Sequence, residues 1–173
     1  MSRIFGIVII IIVFDFSVFA QSRASATASA TIISPLILTH DGTDLNFGDL
    51  SVQHSTGGTV ILSPDGTRTF GGCVTLPGNI GSVSAAVFGV SGQANHSYSV
   101  TLPANCLLTH TNNNDNMIVD HFTSSPSTSN GAGILNSNGM QTLYVGATLN
   151  VAANQTAGLY TSGTAFTVII NYN

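Results

Sequence analysis

The chain has 173 residues, a formal net charge of −4 and only 6% charged residues. It contains neither lysine nor glutamate, and three arginines are its only strongly basic side chains. Nucleic acids and anionic membranes are bound by clustered Lys and Arg, so this composition excludes both as partners. The helix-favouring charged residues are missing, whereas Thr, Ser, Asn and Gly, which are typical of strands and turns, are abundant.

The beginning of the chain has the pattern of a secretory signal peptide. Arg3 gives a positive start, residues 4–13 form an apolar run, and Ala20 supplies a small residue before Gln21. The run is too short to cross a bilayer, which needs about 20 apolar residues. We therefore predict a signal peptide over residues 1–20. The mature chain is expected to be a single domain without a membrane span, located in the periplasm, at the cell surface or outside the cell.

The first predicted strand of the mature chain alternates small apolar residues with hydroxyl residues. One of its faces is made of Ala24, Ala26, Ala28, Ala30 and Ile32. An alternation with period two is typical of a β-strand with one buried face. Pro35 then interrupts the pattern, which indicates an edge, a bulge or a change of strand.

The rest of the chain also has the pattern of short β-strands separated by turn residues. Strands are predicted over residues 36–39, 45–50, 59–62, 68–76, 83–90, 97–102, 106–109, 118–122, 141–145, 147–151 and 159–171. The stretch 123–139 is long for a structureless connection and is expected to contain a short strand. The clearest strand is 164–172, whose apolar face is Phe166, Val168, Ile170 and Tyr172.

No apolar residues recur at helical spacing after Ala20, so the predicted fold class is all-β. An antiparallel, immunoglobulin-like sandwich is preferred over a barrel. Two cysteines remain after export, and in an oxidising compartment an even pair predicts a disulfide between Cys73 and Cys106. Two free thiols are the alternative, and neither cysteine has a His or Asp at zinc-ligand spacing.

Candidate catalytic residues are sparse, and we predict no enzyme, no cofactor and no metal. The five histidines are expected at the surface, because none forms a close pair and each stands beside turn residues or in a polar strand: His40, His54, His96, His110 and His121. No serine lies in a nucleophile elbow. Oxygen-rich side chains between Asn112 and Asp120, including Asp115, leave a calcium ion open as an alternative, although the EF-hand spacing is absent.

Several stretches resemble an uncharacterised family of secreted bacterial proteins, a domain of unknown function. They are Ile33–Thr39, Asp44–Gly48, Gly57–Val60, Leu62–Gly66, Thr101–Pro103, Val119–Phe122, Leu143–Leu149, Ala157–Tyr160 and Phe166–Asn173. The likeness covers nearly the whole mature chain. It implies an exported β-protein, and the family has no established activity.

Two pieces, Leu45–Gly48 and Ala157–Tyr160 with the strand after it, also resemble spore coat U and archaic chaperone–usher pilin subunits. Such pilins are incomplete sandwiches that a neighbour completes by adding a strand. Before that, a periplasmic chaperone holds the edge open, and an usher is the other expected assembly partner. The resemblance implies that residues 24–32 are the donated strand and that 164–172 is the strand contacted by chaperone and neighbour.

The expected function is that of a non-catalytic structural subunit of a bacterial surface or fimbria-like assembly, with a homo-oligomer or fibre as its working form. The alternative is a self-contained secreted sandwich that serves in adhesion or carbohydrate binding.

Overall fold

Two units make up this chain, residues 1–32 and residues 33–173. The computed structural model describes residues 21–52, 56–79, 81–127 and 133–173. The predicted signal peptide over residues 1–20 therefore lies outside the described residues.

The described residues form strands and no helix, which confirms the predicted all-β class. The strands are β1 (Ile37–His40), β2 (Ser51–Val52), β3 (Gly58–Leu62), β4 (Arg68–Gly72), β5 (Val74–Thr75), β6 (Ala86–Ser91), β7 (Ser97–Thr101), β8 (Asn105–His110), β9 (Asn116–Ser125), β10 (Gly133–Ile134), β11 (Met140–Val151), β12 (Tyr160–Ser162) and β13 (Ile169–Tyr172). The short strand expected within 123–139 is β10.

All strand pairs are antiparallel, as expected for a sandwich. The large sheet has the order β1-β6-β11-β9-β8-β12, with β3 also paired to β11 and β4 paired to β3. A second sheet has the order β10-β7-β13, and β2 pairs with β5. Strand β11 organises the large sheet because its first half, as far as Val145, pairs with β6 and its second half, from Ala147, pairs with β3. Sequence patterning predicted two strands here, and the structure has one.

The core consists of two clusters on the inner face of the large sheet. One cluster lies under the three-stranded sheet, and its fully buried centre is Tyr98, with Leu135, Leu143 and Val145 beside it. The other lies under the β2–β5 pair and the segment that precedes β2, and it includes Val60, Leu62, Val119, Leu149 and Phe47. Aliphatic alternation along β3, β9 and β11 produces this inner face, because successive side chains point to opposite sides of a strand.

The C-terminal strand is shorter than predicted. Pairing with β7 begins at Ile169, opposite Thr101, where β7 ends. Pro103 lies two residues after the end of β7, and a proline cannot donate a ladder hydrogen bond. The predicted inner face is nevertheless correct, since Phe166, Val168, Ile170 and Tyr172 all belong to the cluster around Tyr98.

The strand predicted over residues 24–32 is not formed. Residues 21–36 have no regular secondary structure, and the residues of the predicted inner face, from Ala24 to Ile32, are exposed. Alternation alone does not make a strand, because a strand also needs a partner that supplies its hydrogen bonds.

The predicted disulfide is also absent, since Cys73 and Cys106 are both free. Cys73 follows β4, whereas Cys106 lies in β8, and β3, β11 and β9 are placed between those two strands in the sheet. Adjacent strands are about 4.8 Å apart, and a disulfide needs Cα atoms within roughly 7 Å of each other. Three strands thus separate the two cysteine-bearing segments in the sheet order, and both thiols are free.

The buried tyrosine gives the first testable prediction. Tyr98 is fully buried, its hydroxyl donates to Gln141 Oε1 at 2.9 Å, and burial raises the pKa of the hydroxyl. The folded protein therefore keeps this proton more tightly than the unfolded chain, whose tyrosines ionise near pH 10. We expect the free energy of unfolding to fall as the pH rises above about 10.

Tyr98→Phe should remove part of that alkaline loss while lowering the free energy of unfolding at pH 7 by about 1 kcal/mol, the net contribution of one hydrogen bond. Urea unfolding of both proteins at pH 7 and pH 10.5 measures this. An equally steep alkaline loss in the variant would contradict the assignment.

Candidate functional site

A cleft of about 1140 Å³ opens onto the inner face of the large sheet. One wall is the segment 44–52, and the other consists of residues 154–162 followed by Ala165 and Phe166. The floor is almost entirely apolar and comes from four neighbouring strands: Ala86, Phe88, Cys106, Leu108, Met117, Val119, Phe122, Leu149 and Val151. Five of these nine residues are buried, whereas Phe88, Cys106, Leu108 and Phe122 are only half-buried.

Strand β8 illustrates how the sequence builds this floor. Alternation places Cys106 and Leu108 on the inner face, where both are half-buried against the second core cluster. Leu107, between them, points to the outer face and is 51% exposed. Burial raises the pKa of the Cys106 thiol, as expected for a cysteine on an apolar floor.

The first wall is held by the only arginine of the folded unit. Arg68 Nη1 donates to the main-chain carbonyl oxygens of Phe47 and Asp49, the second at 3.0 Å. Its Nη2 is buried and has no hydrogen-bond partner among the described residues. Asn46 in this wall forms an isolated antiparallel β-bridge with Ser84. The arginine thus fixes the position of the wall without a carboxylate partner.

The second wall is held by the turn between β8 and β9. The ring of His110 accepts the main-chain N–H of Asn112 at Nδ1 (3.1 Å), so Nε2 carries the proton and donates to the carbonyl oxygen of Ala157 (3.2 Å). The ring also contacts Tyr160 edge-on, with centroids 4.9 Å apart. Gly158 lies against the imidazole so closely that a Cβ there would collide with it.

His110 corrects a prediction, because it is only 6% exposed and not at the surface. His40, His96 and His121 are exposed as expected, and His54 lies outside the described residues. Only the position of His110 at the end of β8, on the face shared with Cys106 and Leu108, would have indicated its burial.

Next to the cleft, a stretch between β12 and β13 is unpaired. Residues 163–168 form no strand ladder, although the side chains of Phe166 and Val168 reach the core. Both edges of this stretch have no β-partner within the described ranges. Strands β12 and β13, which flank it, each pair on one side only in that part of the chain.

Residues 21–32, which are described apart from the folded unit, carry the predicted exchange face. They are exposed throughout and free of regular secondary structure. From Ala24 to Ile32 the sequence alternates alanine, and finally isoleucine, with serine or threonine. Arg23, the only charged side chain among them, donates to Gln21 Oε1 at 3.3 Å.

The remaining polar groups form no metal or catalytic centre within the described residues. His121 Nδ1 lies 2.7 Å from Asp120 Oδ1, and this contact is the main reason why the pKa of Asp120 is lowered. Asp115 instead accepts hydrogen bonds from Asn113 and Thr156, so the carboxylates of Asp115 and Asp120 have different partners. No set of three or more His, Cys, Asp or Glu side chains in these ranges is arranged to hold a metal ion.

No helix among the described residues has the length and apolar character needed to cross a membrane. Neither the curated proteins nor the solved structures contain a match to the chain. The resemblance to spore coat U and pilin subunits therefore stays a prediction.

A family model described as a domain of unknown function (DUF4402) matches residues 37–172. This range begins at the first residue of β1 and ends at the last residue of β13. The chain belongs to the DUF4402 family, and its family domain is the folded β-unit that carries the cleft.

Proposed function

We propose that this protein is a non-catalytic structural subunit of a bacterial surface or fimbria-like assembly, and that subunits join by β-strand addition. The observation that carries the proposal is the apolar floor of the cleft, where Phe88, Cys106, Leu108 and Phe122 remain partly accessible. Apolar surface that is left accessible in a core costs free energy at about 25 cal/mol per Å². An extended segment from a neighbour would cover it and complete the second layer of an immunoglobulin-like sandwich.

The backbone beside the cleft favours a strand over a compact ligand. Residues 163–168 belong to no ladder, so their N–H and C=O groups have no ladder partner in the described chain. In strand addition, main-chain hydrogen bonds supply affinity and alternate side chains supply register. An added strand satisfies both the unpaired backbone and the apolar floor.

The donor in this proposal is the segment 21–32 of another copy. The methyl groups of Ala24, Ala26, Ala28 and Ala30, with Ile32, would face the floor, and the hydroxyl groups would remain in water. Twelve extended residues reach about 40 Å, enough to run the length of a small domain. Export, a periplasmic chaperone and an usher belong to the same proposal, because an unfilled cleft needs protection before assembly.

Deletion of residues 21–30 tests the donor role. Because these residues form no strand, we expect the shortened protein to keep the thermal unfolding midpoint of the mature chain and to stay monomeric in light scattering, while the mature chain assembles. A truncation that unfolds the monomer would instead show that the segment is an internal strand.

The two free cysteines supply a test of the acceptor. Cys106 lines the cleft and Cys73 does not, so the second is an internal reference for the first. A synthetic peptide of residues 21–33, added to the shortened protein, should slow modification of Cys106 by a thiol reagent and leave that of Cys73 unchanged. Equal effects on both cysteines, or no effect, would contradict the proposal.

A further inference from the structure

Charge is divided unequally between the proposed donor and the proposed acceptor. The segment 21–32 contains Arg23 and no acidic residue. The unit 33–173 contains Arg68 and all six aspartates that follow the signal peptide, so its formal charge is 1 − 6 = −5. A cationic arm and an anionic body attract each other, and such complementarity sets association rate and register more than affinity.

The charge inside the cleft lies on one side. Asp44 and Asp49 are in the first wall, whereas residues 154–162 of the second wall contain no charged residue. The carboxylate of Asp49 lies against Gly81, and Arg68 binds the main-chain carbonyl oxygen of Asp49. Asp44 has only the His40 ring, at 3.4 Å, and its side chain is 89% exposed.

We propose that Arg23 of one copy pairs with Asp44 of the next, so that the N-terminal end of the arm lies where the first wall begins, beside His40 and Phe88. This inference rests on the proposed strand addition and specifies its polarity and register. The second wall has no charged residue of its own, and the one carboxylate that contacts it, that of Asp115, already accepts hydrogen bonds from Asn113 and Thr156. A reversed arm would therefore meet a carboxylate that is already bonded, whereas Asp44 is exposed.

A charge swap in the mature full-length chain tests the pair. We expect Arg23→Asp to slow assembly about fivefold to tenfold at low ionic strength, because an attraction at the protein surface becomes a repulsion. The double variant Arg23→Asp with Asp44→Arg should recover most of the rate. Light scattering at about 20 mM and 500 mM salt measures the rate of assembly. The difference in rate between the variants and the wild type should shrink at high salt.

The control is Arg23→Asp combined with Asp65→Arg, since Asp65 lies in the turn between β3 and β4 and does not line the cleft. It should assemble as slowly as Arg23→Asp alone. Equal recovery with Asp65→Arg, or no recovery with Asp44→Arg, would overturn the pairing while the strand addition stands. A mature wild-type chain that neither assembles nor protects Cys106 would overturn the proposed function itself.

Discussion

Leu108→Asp should abolish assembly while the protein stays folded. Leu108 lies on the inner face of β8, half-buried, and lines the cleft. A carboxylate at this position would have to lose its water when a strand covers the floor, and burying an unpaired charge is strongly unfavourable. The contact of a buried leucine, worth about 1.5–3 kcal/mol, would also be lost. We expect the concentration for half-maximal assembly to rise at least about 100-fold.

The matched control is Leu107→Asp, one residue earlier on the same strand. Leu107 faces outward and is 51% exposed, so a charge there meets water in the monomer and in the assembly. Leu108→Trp adds a second arm to the experiment, because apolar bulk fills the cleft and should block assembly without placing a charge in it. Sedimentation and thermal unfolding of the three variants separate folding from docking. Assembly of Leu108→Asp and Leu108→Trp at the wild-type concentration would contradict the role of the cleft.

Several strands were predictable from alternation of branched or aromatic side chains, but the predicted strand over 45–50 is not formed. Tyr98, Val100 and Leu102 alternate in the sequence, and β7 lies where they indicate. Alternation measures which side chains share a face, and it contains no information about the partner strand. The Ala-faced segment 24–32 and the unpaired stretch 163–168 both alternate, and neither is in a ladder.

The candidate site was predictable only in part. The prediction of the inner face of the C-terminal strand was correct. The cleft, however, is formed by segments that are far apart in the sequence, 44–52 and 154–166, and no local pattern links them. Arg68 and His110 hold its walls through main-chain carbonyl groups, and such contacts leave no residue motif. The disulfide predicted between Cys73 and Cys106 is absent. The number of cysteines and the expected compartment do not show which strands lie next to each other.

The second large effect is expected at Gly146, where β11 changes partner from β6 to β3 and a register shift marks its pairing with β9. A Cβ at this position would collide with the carbonyl oxygen of Leu62 and would also meet the main chain of Ser63 and Pro64. Main chain cannot rotate away as a flexible side chain can. Gly146→Ala should therefore lower the free energy of unfolding by about 3 kcal/mol or more, at the upper end for overpacked cores.

Gly163→Ala is the matched control, because nothing lies within 4 Å of its added methyl group. It should change the free energy of unfolding by less than about 0.5 kcal/mol, as exposed substitutions do. For a domain of this size, 3 kcal/mol corresponds to roughly 10 °C in Tm, which calorimetry resolves easily. Because β11 joins both core clusters, we expect one cooperative transition at a lower temperature. Two separate transitions in Gly146→Ala would mean that the clusters fold independently and that β11 does not couple them.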